Sequence, residues 1–197
     1  MLFVGTKKEE QEAIRDEAVC AGGFYVNNRW LGGLLTNLNT IKTRVQRLKD
    51  LEEMDQNGML DESYTKKEAG LLRKEMAKLS KNLGGIKEMN KVPAALFVVD
   101  IKKEFLALEE AKKLGIPVVA LIDTNVDPDL VTYKIPANDD AIRSVKLFSE
   151  IMANAIIEGN NGQEAAEANA AASGDMPVNE DEIAVETMAE GIKEATE

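Results

Sequence analysis

Three groups of residues in this sequence have the types and spacing to do chemistry: a short loop with two lysines, a scatter of aspartates, and a run of cations. Gly5-Thr6-Lys7-Lys8 follows the apolar run Leu2-Phe3-Val4 and has the composition of a phosphate loop. It lacks the GxxxxGK[ST] spacing that builds the backbone nest, so Thr6 is expected instead to cap a helix, with Glu9 completing a capping box. Asp100, Asp123 and Asp127 fall at or just beyond the ends of apolar runs. Carboxylates at strand ends of a parallel sheet could hold magnesium for phosphoryl transfer. No activated nucleophile accompanies them, so Asp100 is expected to cap the next helix. Asp123, Asn125 and Asp127 then build the turn before Pro128. Histidine is absent, which removes the usual general base and a common metal ligand. Cys20 is the single cysteine; it can form no internal disulfide and is expected to be a small buried residue in a reducing cytoplasm. The reading is therefore of a protein that is not an enzyme, with no catalytic residues, cofactor, metal or small-molecule substrate.

The cations give a better signal. Arg29, Lys42, Arg44, Arg47 and Lys49 occur with no acid between the first and the last. Asn27, Asn28, Trp30, Thr36, Asn37 and Asn39 add hydrogen-bonding groups and one large aromatic ring. Cations and amides suit phosphate and ribose contacts, and an aromatic ring can stack on a base. The expected RNA-binding residues are Lys7, Lys8, Asn28, Arg29, Trp30, Thr36, Asn37, Lys42, Arg44, Arg47 and Lys49. The competing reading is a solvated helix face. The net charge of -11 does not exclude an RNA partner, because it is an average over unlike regions. Residues 158–197 carry 11 acids and 1 base, which leaves residues 1–157 at -1. Local clustering therefore decides what the body binds.

These residues must be positioned by the elements around them. Leu2-Phe3-Val4, a helix through Ala21 closed by Gly22-Gly23, and Phe24-Tyr25-Val26 form a strand–helix–strand unit. Ala94 through Asp100 and Pro117 through Asp123 are continuous apolar runs, as buried parallel strands are. Between them lies a helix with Phe105, Leu106, Leu108, Ala111 and Leu114 inside. Tyr133-Lys134-Ile135-Pro136 reads as an edge strand. Asn138-Asp139-Asp140 opens a last helix with Ala141, Val145, Phe148, Met152 and Ile156 on one face. Alternating strands and helices predict an α/β fold, a parallel Rossmann- or flavodoxin-like sheet with helices on both faces.

Residues 31–90 interrupt that sheet domain, which is expected over 1–30 and 91–157. Leu31, Leu34, Leu38, Ile41, Val45 and Leu48 alternate steps of three and four, as do Ala69, Leu72, Met76, Leu79, Leu83 and Ile86. Two heptad seams around the turn Gln56-Asn57-Gly58 predict an inserted antiparallel coiled-coil helical hairpin, with Thr65 and Glu68 as a second capping box. The alternative is two ordinary amphipathic helices packed on the sheet. Residues 158–197 read as an acidic disordered tail with a short helix near Ile183–Met188. No apolar run approaches the ~18 residues that span a bilayer, so no membrane partner is expected.

Three stretches carry a resemblance. Asn28-Arg29-Trp30-Leu31-Gly32-Gly33-Leu34-Leu35-Thr36-Asn37 resembles a signature of bacterial small-subunit ribosomal protein S-two. Pro93, Asp100, Glu104, Leu108, Glu110, Gly115, Ile116 and Pro117 resemble its second signature. Asp123-Thr124-Asn125, Pro128, Ile135-Pro136 and Asn138 through Arg143 resemble a third. The resemblance covers residues 2–157. It implies a structural constituent of the small ribosomal subunit in translation, contacting ribosomal RNA and neighbouring ribosomal proteins, including S-one. It also implies an N-terminal segment, with a helix and a further strand, that this chain lacks. The alternative is a coiled-coil adaptor that binds no RNA.

Overall fold

A computed structural model describes residues 1–173 of the chain, with side chains described through residue 161. The elements are β1 (Leu2–Val4), α1 (Gln11–Cys20), β2 (Phe24–Val26), α2 (Leu38–Gln56), α3 (Met59–Ser63), α4 (Lys66–Leu83), β3 (Leu96–Val98), α5 (Phe105–Leu114), β4 (Val118–Ile122), β5 (Tyr133–Pro136) and α6 (Ile142–Ser173). Two 3-10 turns, Gly84–Ile86 and Pro128–Leu130, complete the order. The chain divides after Ile156 into two units. The first contains the sheet.

All strand pairs are parallel, in the order β2-β1-β3-β4-β5. Leu2 lies level with Phe24 on one side and Leu96 on the other. Successive side chains point to opposite faces, and each face has its own core. Leu2, Val4, Leu96, Val98 and Ala120 join residues of α5, of the 30–35 segment and of α2. Phe3, Phe97 and Leu121 join Ile14 and Ala18 of α1 and Val145 of α6. The Phe3 and Phe97 rings meet edge to face, 5.6 Å apart. Helices thus cover both faces, as expected, and β5 is an exposed edge strand.

Helices α2 and α4 pack on each other and run antiparallel, as the pairs Arg47–Glu75 and Asp55–Arg73 register. The Thr65–Glu68 capping box opens α4 as predicted. The regularity of residues 31–90 nevertheless misplaces both ends of the insertion. Residues 32–37 are turns, and Leu34 and Leu35 are buried in the sheet's core rather than in a helical seam. Gly33, at φ 86, takes a left-handed conformation that a continuing helix cannot contain. At the far end the chain does not simply reverse at Gly58. It forms α3, which packs on α2 and α4 and whose Leu60 is fully buried, as is Leu51 of α2. Ile41, Val45 and Leu48 of α2 belong to the same core as the sheet, so the base of the helical pair is continuous with the α/β layer.

Other expectations are corrected. Thr6 and Glu9 form no capping box: α1 starts at Gln11, and the Thr6 hydroxyl donates to the Glu104 carboxylate. Thr6 is buried under the carboxyl edge of the sheet, where a long-range acceptor is nearer than the helix start. Asp100 does not cap α5, which begins five residues later. Its Oδ1 accepts from the Lys103 N–H at 3.1 Å. Phe105, Leu106 and Leu114 are exposed, because the buried face of α5 is Ala107, Leu108, Glu110 and Ala111. Cys20 is exposed beside Val19 in the last turn of α1. Asp127 does open the 3-10 turn at Pro128, and Asn138 accepts from the N–H groups of Asp140 and Ala141 before α6. That helix continues through residues 158–173, past the boundary drawn for the acidic tail. Alanine, glutamate and glutamine there are strong helix formers. The rest of the expected tail, with the helix near Ile183–Met188, lies outside the described residues.

Candidate nucleic-acid interface

The segment that follows β2 is organised by one carboxylate. Glu110 of α5 is 7% exposed. Its Oε1 accepts from the Trp30 indole N–H at 3.1 Å and the Gly33 N–H at 2.7 Å. Its Oε2 accepts from the Leu35 and Thr36 N–H groups, both at 3.0 Å, and from the Thr36 hydroxyl at 3.1 Å. Burial raises the pKa of this carboxyl. The hydrogen bonds from Thr36, Trp30, Gly33 and Leu35 outweigh that, and the net effect holds it below the ordinary glutamate value. Residues 30–36 are thereby wrapped around an anion, with the Trp30 indole N–H and the Gly33, Leu35 and Thr36 N–H groups turned inward.

This changes the role of two expected RNA-binding residues. Trp30 is 6% exposed and cannot stack on a base without unfolding the turn. Thr36 is exposed, but both of its donors are engaged by Glu110. Both are structural. Glu110, part of the second signature, is not among the residues expected at the RNA-binding site. The available signal was an acid on the apolar face of α5, between Ala107 and Ala111, where a charge needs partners. Asn28 and Asn37 are also used internally: Asn28 donates to Asn82 at 2.6 Å, and Asn37 accepts from Thr40 at 2.9 Å. Asn28 thus ties the start of the turn to α4.

Lys7 is not available to a phosphate either. Its ammonium lies 2.7 Å from both Asp100 and Asp140, 3.7 Å from Asp139 and 3.9 Å from Glu10. Burial alone would lower its pKa, but Asp100 and Asp140 hold it well above the ordinary value. The carboxylates outnumber the lysine. Burial pushes Glu10 up to about 7 and also raises Glu104 and Asp139. A carboxyl whose pKa is raised on folding contributes stability that is present below its unfolded pKa and is lost as pH rises through the folded one. Glu10→Gln, which keeps an acceptor for the Lys7 N–H, is expected to stabilise the protein by roughly 1–3 kcal/mol near pH 8 and hardly at all near pH 4. Urea unfolding across that range checks it. An equal gain at both ends would show that Glu10 does not titrate between them.

The remaining cations divide into two sets on either side of the α2 seam. Lys42 and Lys49 border a groove between α2 and residues 86–90, together with Lys87. Arg44 lies on the α4 side with Glu75, Lys78 and Asn82, and Arg47 pairs with Glu75 at 3.5 Å. Lys49 pairs with Glu88 at 3.0 Å. Lys8, Arg29, Lys42 and Arg44 are exposed and have no ion-pair partner among the described residues. Arg29 immediately precedes the Glu110-bound turn, and Lys42 and Arg44 follow it in α2; Lys8 lies apart, beside α1. Of the eleven residues expected, these four are the exposed cations without an ion-pair partner among the described residues. Among the described residues no group of acidic or cysteine side chains is arranged to hold a metal ion, and no helix is long and apolar enough to cross a membrane.

Comparison with known sequences gives the family. The sequence model described as Ribosomal protein S2 matches residues 1–159. A small ribosomal subunit protein uS2 from Fusobacterium nucleatum is 64% identical over 164 residues, covering 83% of this chain and 66% of the relative. Proteins of the same name from Acidothermus cellulolyticus and Micrococcus luteus are each 56% identical, covering 85% of this chain and 61% of the relative. The chain thus spans less than two thirds of the length of each of these three relatives. With a match over most of its length, and with the signature turn Trp30–Thr36 folded on the Glu110 of the second signature, this chain belongs to the ribosomal protein S2 family.

Proposed function

We propose that the chain is a structural, RNA-binding constituent of the small ribosomal subunit, acting in translation and catalysing nothing. The observation that carries this reading is the family membership, which spans both the sheet and the cationic stretch after it. Its partners are small-subunit ribosomal RNA and adjacent ribosomal proteins, S-one among them, in the cytoplasm. Helices α2 and α4 serve as a coiled-coil arm. Arg29, Lys42 and Arg44 supply the phosphate contacts, supported by their exposure and by their having no ion-pair partner among the described residues, although Glu75 lines the same hollow as Arg44. Lys8 is a weaker contributor, since Glu9, Glu12, Asp16 and Glu17 share its hollow.

Each phosphate contact releases condensed counterions, so affinity should fall steeply with salt. In co-sedimentation with small subunits lacking this protein, Arg29→Gln, Lys42→Gln and Arg44→Gln together are expected to reduce the magnitude of the salt slope by about 2–3. Glutamine keeps helix propensity and polar length at the two positions in α2, so folding is spared. An unchanged slope in the triple variant would remove these residues from the RNA contact. Failure of the parent chain to co-sediment would remove the function.

A further inference from the structure

The groove between α2 and residues 86–90 has a composition the phosphate contacts do not explain. It encloses about 170 Å³. Its floor is apolar, built by Ile41 and Val45 of α2 with Ile86 and Met89. Its rim carries three lysines, Lys42, Lys49 and Lys87, of which Lys42 has no ion-pair partner among the described residues. Two amide side chains, Gln46 and Asn90, complete the lining. A groove that bound only phosphates would have no use for the aliphatic floor. A site for an apolar side chain would not place three lysines and two amides around it.

We infer that this groove seats one unstacked nucleobase of single-stranded RNA, flat against Ile41, Val45, Ile86 and Met89, with the flanking phosphates on the lysine rim. The inference rests on the RNA-binding reading above and deepens it. Single-stranded bases are recognised by stacking on a face and hydrogen bonding along an edge. Aliphatic walls serve such a face as aromatic ones do. Amides donate and accept, which is what a base edge requires. The Gln46 amide nitrogen donates to Asp50 at 2.8 Å, leaving its carbonyl oxygen as an acceptor. Lys42 has no ion-pair partner among the described residues and is the first phosphate contact. Lys49 is paired with Glu88, and Lys87 with Glu52. In the Lys49–Glu88 pair the glutamate is exposed and the lysine half-buried, and pairs open to water are weak enough for a phosphate to replace the carboxylate.

The test is methyl NMR of the full chain with a short mixed-sequence single-stranded RNA, and with polyphosphate as a backbone-only anion. Saturating RNA should move the methyl resonances of Ile41, Ile86 and Met89, and polyphosphate should not. Gln46→Leu with Asn90→Leu removes the base-edge groups from exposed positions and keeps every charge. This variant should bind the RNA about tenfold more weakly with the same salt slope. Floor methyls that stay still, or that respond equally to polyphosphate, would overturn the seat. So would full affinity in the double variant, or floor methyls perturbed in assembled subunits but not by RNA, which would mark a protein side chain as the occupant. In each of those cases a retained salt-dependent affinity leaves the RNA-binding reading intact. No salt-dependent binding to RNA or to subunits overturns both.

Discussion

Glu110→Ala should unfold the turn that follows β2 and lower the stability of the body by roughly 3–5 kcal/mol, the range for breaking a buried charged network. The substitution removes the acceptor of five hydrogen bonds. The Trp30 indole N–H and the Leu35 N–H belong to residues with almost no exposure. Each such donor left unpaired costs about 1–3 kcal/mol. Water can reach the hydroxyl of Thr36, which is exposed, so the five losses do not add in full. Glu110→Gln should fall between the parent and the alanine variant. It retains one carbonyl oxygen and turns an NH₂ group toward donors. Acid should mimic the loss. The folded-state pKa of Glu110 is depressed, so its contribution is present above the unfolded pKa and disappears as pH falls through the folded value. Trp30 is the only tryptophan, and its fluorescence reports on this turn alone. A red-shifted emission with a lowered unfolding midpoint is the expected result. Native emission and an unchanged midpoint in Glu110→Ala would mean that the turn holds itself.

The same turn shows how far the sequence could be read. The alternation of apolar runs and helical periods gave the sheet, its edge strand and the helices on both faces, because side-chain burial repeats with the period of the local structure. It failed at residues 31–37. Leu31 and Leu34 extend a heptad pattern that truly begins at Leu38, and they are apolar because they plug the sheet's core. Periodicity records which residues are buried, not which element buries them. The capping motifs show a related limit. Thr65-x-x-Glu68 forms its box at an exposed helix start, where no other partner competes. Thr6 has the same local spacing and spends its hydroxyl on Glu104, far along the chain. The candidate site was legible in the exposure of some of its cations and not in the carboxylates that engage the rest. Arg29, Lys42 and Arg44 remain exposed, while Lys7 is claimed by Asp100 and Asp140, and Trp30 and Thr36 by Glu110. Those pairings join segments that lie far apart along the chain. No spacing along the chain announces them.

Gly84 and Gly85 should answer a single added methyl group in opposite ways. Both lie in the 3-10 turn that follows α4. Gly84 has helical dihedrals, φ -54 and ψ -41, and a Cβ there meets nothing nearer than the Ser80 hydroxyl at 4.0 Å. Alanine fits, and by restricting the unfolded chain it should stabilise by roughly 0.4–1 kcal/mol. At Gly85 a Cβ would stand 2.5 Å from Cδ2 and 2.7 Å from Cε2 of Tyr25, and closer still to the Tyr25 carbonyl oxygen. Tyr25 lies in the middle of β2, paired level with Phe3. Its carbonyl cannot yield without shifting a strand whose register is fixed by β1. The turn must therefore move away instead, taking with it the buried Leu83, Ile86 and Met89 and the floor of the groove beside α2. Overpacking of a close-packed interior costs about 1–3 kcal/mol when side chains can adjust, and here the obstacle is backbone. Gly85→Ala is expected to lose more than about 3 kcal/mol, with a lowered urea midpoint and a diminished RNA affinity. Gly84→Ala should keep both. If the two variants unfold at the same denaturant concentration, the turn does not rest on β2 as closely as these contacts require.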